Sequence, residues 1–167
     1  DLLPPIEEGE FLLKGEFLLY IMLKTYSIKE IPYYHIYERT DEMQNPLPLF
    51  WNGSGIEVNV TGSELWIDLD IDCSFHEPWI RTELNGAFMS RQMLLPGSYS
   101  ICLLRNMTLG VPKTMKFFRE LQAMSEDNDC HVFVRGFQCD GEFLPVKEHK
   151  YKIEFVGDSI TSGEGTY

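Results

Sequence analysis

Residues 56–71 read Ile56-Glu57-Val58-Asn59-Val60-Thr61-Gly62-Ser63-Glu64-Leu65-Trp66-Ile67-Asp68-Leu69-Asp70-Ile71. Apolar and polar side chains alternate with the period of a pleated strand. Ile56, Val58 and Val60 fall on one face, and Leu65, Ile67, Leu69 and Ile71 on one face of the next strand. Thr61-Gly62-Ser63 supplies the turn between them. One dry and one wet face per strand is the signature of an antiparallel sheet packed on a single side.

The same punctuation continues in both directions. Tyr33–Tyr37 is an aromatic-rich strand, and Leu47–Trp51 leads to the turn Asn52-Gly53-Ser54-Gly55. Trp79–Leu84 and Ala87–Met89 form a hairpin about Asn85-Gly86. Pro96-Gly97 introduces a strand from Ser98 to Arg105, and His131–Phe137 is the last of the series. Short strands at near-regular spacing predict a β-sandwich or jelly roll. Residues 113–124 fit two patterns. Phe117, Phe118, Leu121 and Met124 have helical spacing; Met115, Phe117, Leu121 and Ala123 fit a strand interrupted by Arg119. Periodicity leans to helix, the sandwich context to strand.

The formal net charge is −12, with only 14 Lys and Arg among 167 residues. No basic cluster interrupts the acidity, so no nucleic acid is expected as a partner. A neutral substrate suits such a surface better than an anionic one. The longest early apolar run, Phe17–Leu23, is too short to span a bilayer, so no membrane partner is expected. No basic segment precedes it, and a cytoplasmic location is the default. Asn52, Asn59 and Asn106 begin glycosylation sequons, read as unused. Cys73, Cys102, Cys130 and Cys139 are scattered without a paired Cys-x-x-Cys knuckle, so free thiols are expected rather than a metal site. Trp51, Trp66 and Trp79 are candidates for sugar stacking. Trp66 falls opposite the inward set and is expected to face solvent; Trp51 and Trp79 are expected in a core or against a neighbouring domain.

The chemistry lies further on. Residues 153–163 read Ile153-Glu154-Phe155-Val156-Gly157-Asp158-Ser159-Ile160-Thr161-Ser162-Gly163. A short apolar strand entering a small-residue turn can present a serine hydroxyl at the carboxyl edge of a parallel sheet. The Ser159 amide would lie near a helix amino terminus, where N–H groups stabilise a developing oxyanion. Asp158 is expected to hold the turn through backbone hydrogen bonds, not to orient a base. A turn with a capping serine is the non-catalytic alternative. If 151–156 is extended, His149 stands about 20 Å from Ser159, too far to act as its base. His35, His76 and His131 fall in the sandwich and receive no role.

Gly157-Asp158-Ser159-Ile160-Thr161-Ser162-Gly163 resembles the first block of the SGNH, or GDSL-type, hydrolases. Phe50–Glu57, Glu77–Ile80 and Asp140–Pro145 resemble pieces of the amino-terminal jelly-roll domain of carbohydrate esterase family 2. The resemblance covers roughly residues 26–167. It implies a mainly β chain: a jelly-roll sandwich followed by the first strand and nucleophile turn of an α/β SGNH domain. The expected divisions are an atypical extension (1–25), the sandwich (26–139), a connector (140–150) and the start of the hydrolase domain (151–167).

By the same resemblance, Ser159 is the nucleophile and an oxyanion donor, with Gly157, Asp158, Thr161 and Gly163 supporting its turn. The implied enzyme removes acyl groups, acetyl foremost, from acylated carbohydrate and needs no cofactor or metal. Its other oxyanion donors and its histidine belong to later blocks of the family. The 167-residue chain is therefore expected to be inactive alone, with a carboxyl-terminal hydrolase portion as its partner. The rival expectation is a non-catalytic carbohydrate-binding or interaction module.

Overall fold

A computed structural model describes residues 22–37, 40–75, 77–120, 130–148, 150, 151 and 157, with the backbone of 12–13 and 16–17. The latter form a two-stranded pair, β1 (Leu12–Leu13) and β2 (Glu16–Phe17). Every other strand belongs to one of two antiparallel sheets. The first has the order β10 (Gly97–Leu104), β7 (Leu65–Asp72), β12 (His131–Cys139) and β3 (Lys24–Ser27). β5 (Leu47–Leu49) shares the outer edge of β12 with β3. The second runs β13 (Phe143–Leu144), β6 (Gly55–Val60), β11 (Lys113–Arg119), β8 (Trp79–Leu84) and β9 (Ala87–Met93). β4 (His35–Tyr37) shares the edge of β6 with β13.

The alternation in 56–71 sets the inside. Ile56, Val58, Val60, Leu65, Ile67 and Leu69 are at most 1% exposed. They join Val132, Val134, Phe137, Met115 and Phe117 in one core cluster contributed by both sheets. Burying each large apolar side chain contributes about 1.5–3 kcal/mol, which is why the register is firm. A one-residue slip would turn each set to water. The architecture is the β-sandwich of jelly-roll type expected from the sequence. The Asn85-Gly86 hairpin also forms as read, with φ of 51° and 81° matching the twist of its strands.

The ambiguous segment is a strand through Arg119; residues 121–129 lie outside the described ones. The helical pattern loses because Lys113, Met115, Phe117 and Arg119 are all buried, a period of two. Lys113 Nζ donates to the carbonyls of Thr61, Thr108 and Val111. Arg119 is fully buried and donates to the carbonyls of Leu49, Phe50 and Cys130 and to Cys130 Sγ. Two cations thus occupy inward positions that residue type alone assigns to the surface.

Cys130 and Cys139 are buried, Cys73 and Cys102 half-buried. Burial pushes the Cys139 thiol up, away from the reactive thiolate. Among the described residues, no group of three or more His, Cys, Asp or Glu is placed to hold a metal. None of their helices is long and apolar enough to cross a membrane.

Candidate active-site segment and its support

Ser159, Asp158, Thr161 and Gly163 lie outside the described residues, as do His76 and His149. Gly157 is described and is exposed, outside any strand or helix. The expected start of the hydrolase domain, 151–167, falls almost wholly on residues outside the description. What the structure does show is how the chain is held and aimed before it reaches them.

The hold begins at the end of β12. Asp140 accepts hydrogen bonds from Ser63 Oγ and from the Glu64 N–H (2.9 Å). Glu142 N–H donates to Thr61 Oγ1 (3.0 Å), and Thr61 N–H donates back to the Glu142 carbonyl (3.0 Å). Between them Gly141 crosses the Thr61–Gly62 turn so closely that a Cβ there would sit 2.2 Å from the Gly62 nitrogen. Only glycine permits that approach. Phe143 and Leu144 then pair with Val60 and Asn59, so sheet pairing extends into the stretch read as a connector. Asn59 Nδ2 donates to the Pro145 carbonyl at 3.2 Å. This engagement leaves the sequon nitrogen poorly placed to carry a glycan. Because β13 is antiparallel to β6, the chain heads toward the start of β6, where residues 50–54 form a turn.

That turn is firmly built. Trp51 N–H donates to Ser54 Oγ (3.0 Å), and Ser54 N–H returns to the Trp51 carbonyl (3.0 Å). Gly53 N–H donates to the Arg119 carbonyl (2.7 Å), and Arg119 N–H to that of Ser54 (2.9 Å). Below it lies the Arg119 guanidinium on Leu49 and Phe50. Trp51 is 47% exposed and so lies outside the core of the sandwich. The other tryptophans are half-buried. Trp66, expected to face solvent, lies on the outer face with Nε1 donating to Glu64 (3.3 Å). Trp79 is roofed by the Arg91 guanidinium, 4.3 Å above its ring.

The outer face of the second sheet carries charge interleaved with rings. Arg81 lies over Phe88 and Phe118 and pairs with Glu83 at 3.0 Å. Lys116 lies over Tyr37. Tyr37 donates to the Glu57 carboxylate, itself buried under β4 and 4.0 Å from Lys116 Nζ. Sequence alternation marked Glu57 as outward but could not show that β4 covers it. Burial, followed by the Glu57 hydrogen bond and charge, pushes the Tyr37 phenol well above its ordinary range. In the unfolded chain Tyr37 loses its proton near pH 10; folded, it keeps it. The folded state then binds more protons, so stability is full below about pH 10 and falls as pH rises beyond it. Urea midpoints at pH 9 and 11 should show this decline, and Tyr37→Phe should shrink it; an equal decline in both proteins would contradict the assignment.

His131 stacks on Phe133 and His35 lies edge-on to Tyr37. Each sits on an outer face, and no described contact gives either one a serine to serve.

The described molecule is thus a jelly-roll sandwich whose last strand delivers the chain toward a serine-bearing segment. Carbohydrate esterase family 2 members are among the solved structures similar to it, and the likeness covers the amino-terminal part of those chains. An acetyl xylan esterase from the rumen bacterium Butyrivibrio proteoclasticus is 50% identical over 87% of this chain, with a TM-score of 0.82. A family two carbohydrate esterase from Clostridium thermocellum, solved with cellohexaose, is 24% identical over 77% (TM-score 0.64). One from Cellvibrio japonicus is 21% identical over 86% (TM-score 0.69). These last two show the fold alone. The matches span 39, 38 and 42% of the three chains. No protein-family model matches the chain, and no curated protein gives a significant match.

Proposed function

We propose that this chain is the amino-terminal part of a serine esterase that removes acetyl groups from carbohydrate. The observation that carries the proposal is the Gly157–Gly163 block following a sandwich that is 50% identical to part of an acetyl xylan esterase. The sandwich, read from the sequence as 26–139, takes in β3 from Lys24 and β13 to Leu144; the chain then leads on to 151–167, which open the hydrolase domain. Ser159 Oγ attacks the ester carbonyl, and its own N–H stabilises the oxyanion. A histidine from polypeptide downstream takes the hydroxyl proton and returns it to the leaving sugar alcohol. Water then attacks the acyl-serine, releasing acetate and restoring Ser159. Gly157, Asp158, Thr161 and Gly163 shape the turn. The scheme calls on no cofactor or metal, and the neutral substrate accords with the chain's net charge of −12.

Acetate release from acetylated xylan tests the substrate class, measured with a polypeptide carrying this chain and its downstream hydrolase portion. Turnover should exceed that on long-chain acyl esters; a preference for long acyl chains would contradict the proposal. A second function, carbohydrate binding without catalysis, is favoured by one observation: the exposed, rigidly held Trp51.

A further inference from the structure

One end of the second sheet is organised as a rim. Its hydrogen bonds run from Gly53 N–H to the Arg119 carbonyl, from Glu120 N–H to that of Trp79 and from Leu94 N–H to that of Pro78. Adjacent along this rim stand Trp51, Glu120, Trp79, Arg91 and Met93. Met93 is 45% exposed, and Arg91 and Glu120 form an ion pair. Trp79 is half-buried and covered by Arg91, whereas Trp51 is 47% exposed, the more open of the two tryptophans on this rim.

An indole exposed on a mobile loop would lose entropy on binding. Here the turn beneath it is tied down at both ends by Ser54 and by the buried Arg119. A tethered indole at one end of the rim, with an ionic pair further along it, matches a saccharide chain, whose rings offer C–H groups on their faces and hydroxyls at their edges. We propose that this rim is a saccharide-binding surface, with Trp51 stacking on a sugar ring and Arg91 and Glu120 meeting hydroxyls of the same chain. Such a surface holds polysaccharide independently of ester cleavage. It rests on the carbohydrate part of the function proposed above and not on Ser159.

Affinity electrophoresis of the 167-residue chain through soluble β-1,4-xylan, with and without acetylation, tests it. The chain should be retarded. Trp51→Ala should weaken binding about tenfold, the loss of one good ring contact, while Trp51→Phe retains most of it. Trp66→Ala, on the other sheet, should bind as the unaltered chain does. Ser159→Ala should also leave retardation unchanged, which separates this surface from the esterase: a loss there would place the sugar at the serine and overturn the proposal. Absence of retardation in the unaltered chain would overturn it, as would equal retardation after Trp51→Ala. So would sedimentation showing a dimer that Trp51→Ala dissociates, because the rim would then be an interface between copies. Circular dichroism and the melting temperature of each variant confirm that the fold is kept.

Discussion

Ser159→Ala, in the polypeptide that includes the downstream hydrolase portion, should lower kcat for acetate release on the order of 10⁴-fold or more while leaving KM within a few-fold. The asymmetry follows from the role. A serine nucleophile makes its bond in the transition state and contributes little to holding the substrate. Removing it deletes the acyl-enzyme route and leaves only whatever hydrolysis water and the oxyanion donors sustain. A loss in KM with kcat kept would mark Ser159 as a binding residue. A loss of both with a lowered melting temperature would mark it as structural.

The second large effect belongs to Arg119. It is fully buried, and its guanidinium satisfies carbonyls on β5 and at the start of β12 while its backbone caps the Trp51 turn. Arg119→Ala removes the guanidinium donor from those carbonyls and opens a cavity in their midst. Each unsatisfied group costs about 1–3 kcal/mol, and the cavity adds to that. The expected loss is about 3–5 kcal/mol, a large share of a domain's stability, read as a shift of the urea midpoint. Arg119→Lys should recover little, because an ammonium cannot reproduce the planar fork. An unchanged midpoint in Arg119→Ala would show that the buried guanidinium is not what joins the two sheets at this end.

Arg119 also shows where the sequence was hard to read. The alternation of Ile56–Val60 and Leu65–Ile71 fixes two strands, because each inward position is aliphatic and each outward one polar. β11 defeats that logic: its inward set includes Lys113 and Arg119, which find carbonyl partners only once Thr61, Leu49 and Cys130 have been folded against them. β3 was not recognised, since Lys24-Thr25-Tyr26-Ser27 lacks an apolar alternation and is held by its pairing with β12. Residue type alone places Trp51 in a core or against a neighbouring domain; that it stands outside the sandwich core comes from a turn whose geometry is set by residues nearly 70 positions away. The reading of the serine block rests on the opposite kind of signal, consecutive small residues in local sequence, and of that block the described residues include only Gly157.

The most direct test of the account is covalent. A polypeptide with the downstream hydrolase portion is treated with an organophosphonate ester, digested and weighed by mass spectrometry. Stoichiometric labelling on the peptide containing Ser159, absent in Ser159→Ala, is the predicted result. Full acetate-releasing activity with Ser159 unlabelled, or a label on another residue that abolishes turnover, would contradict it.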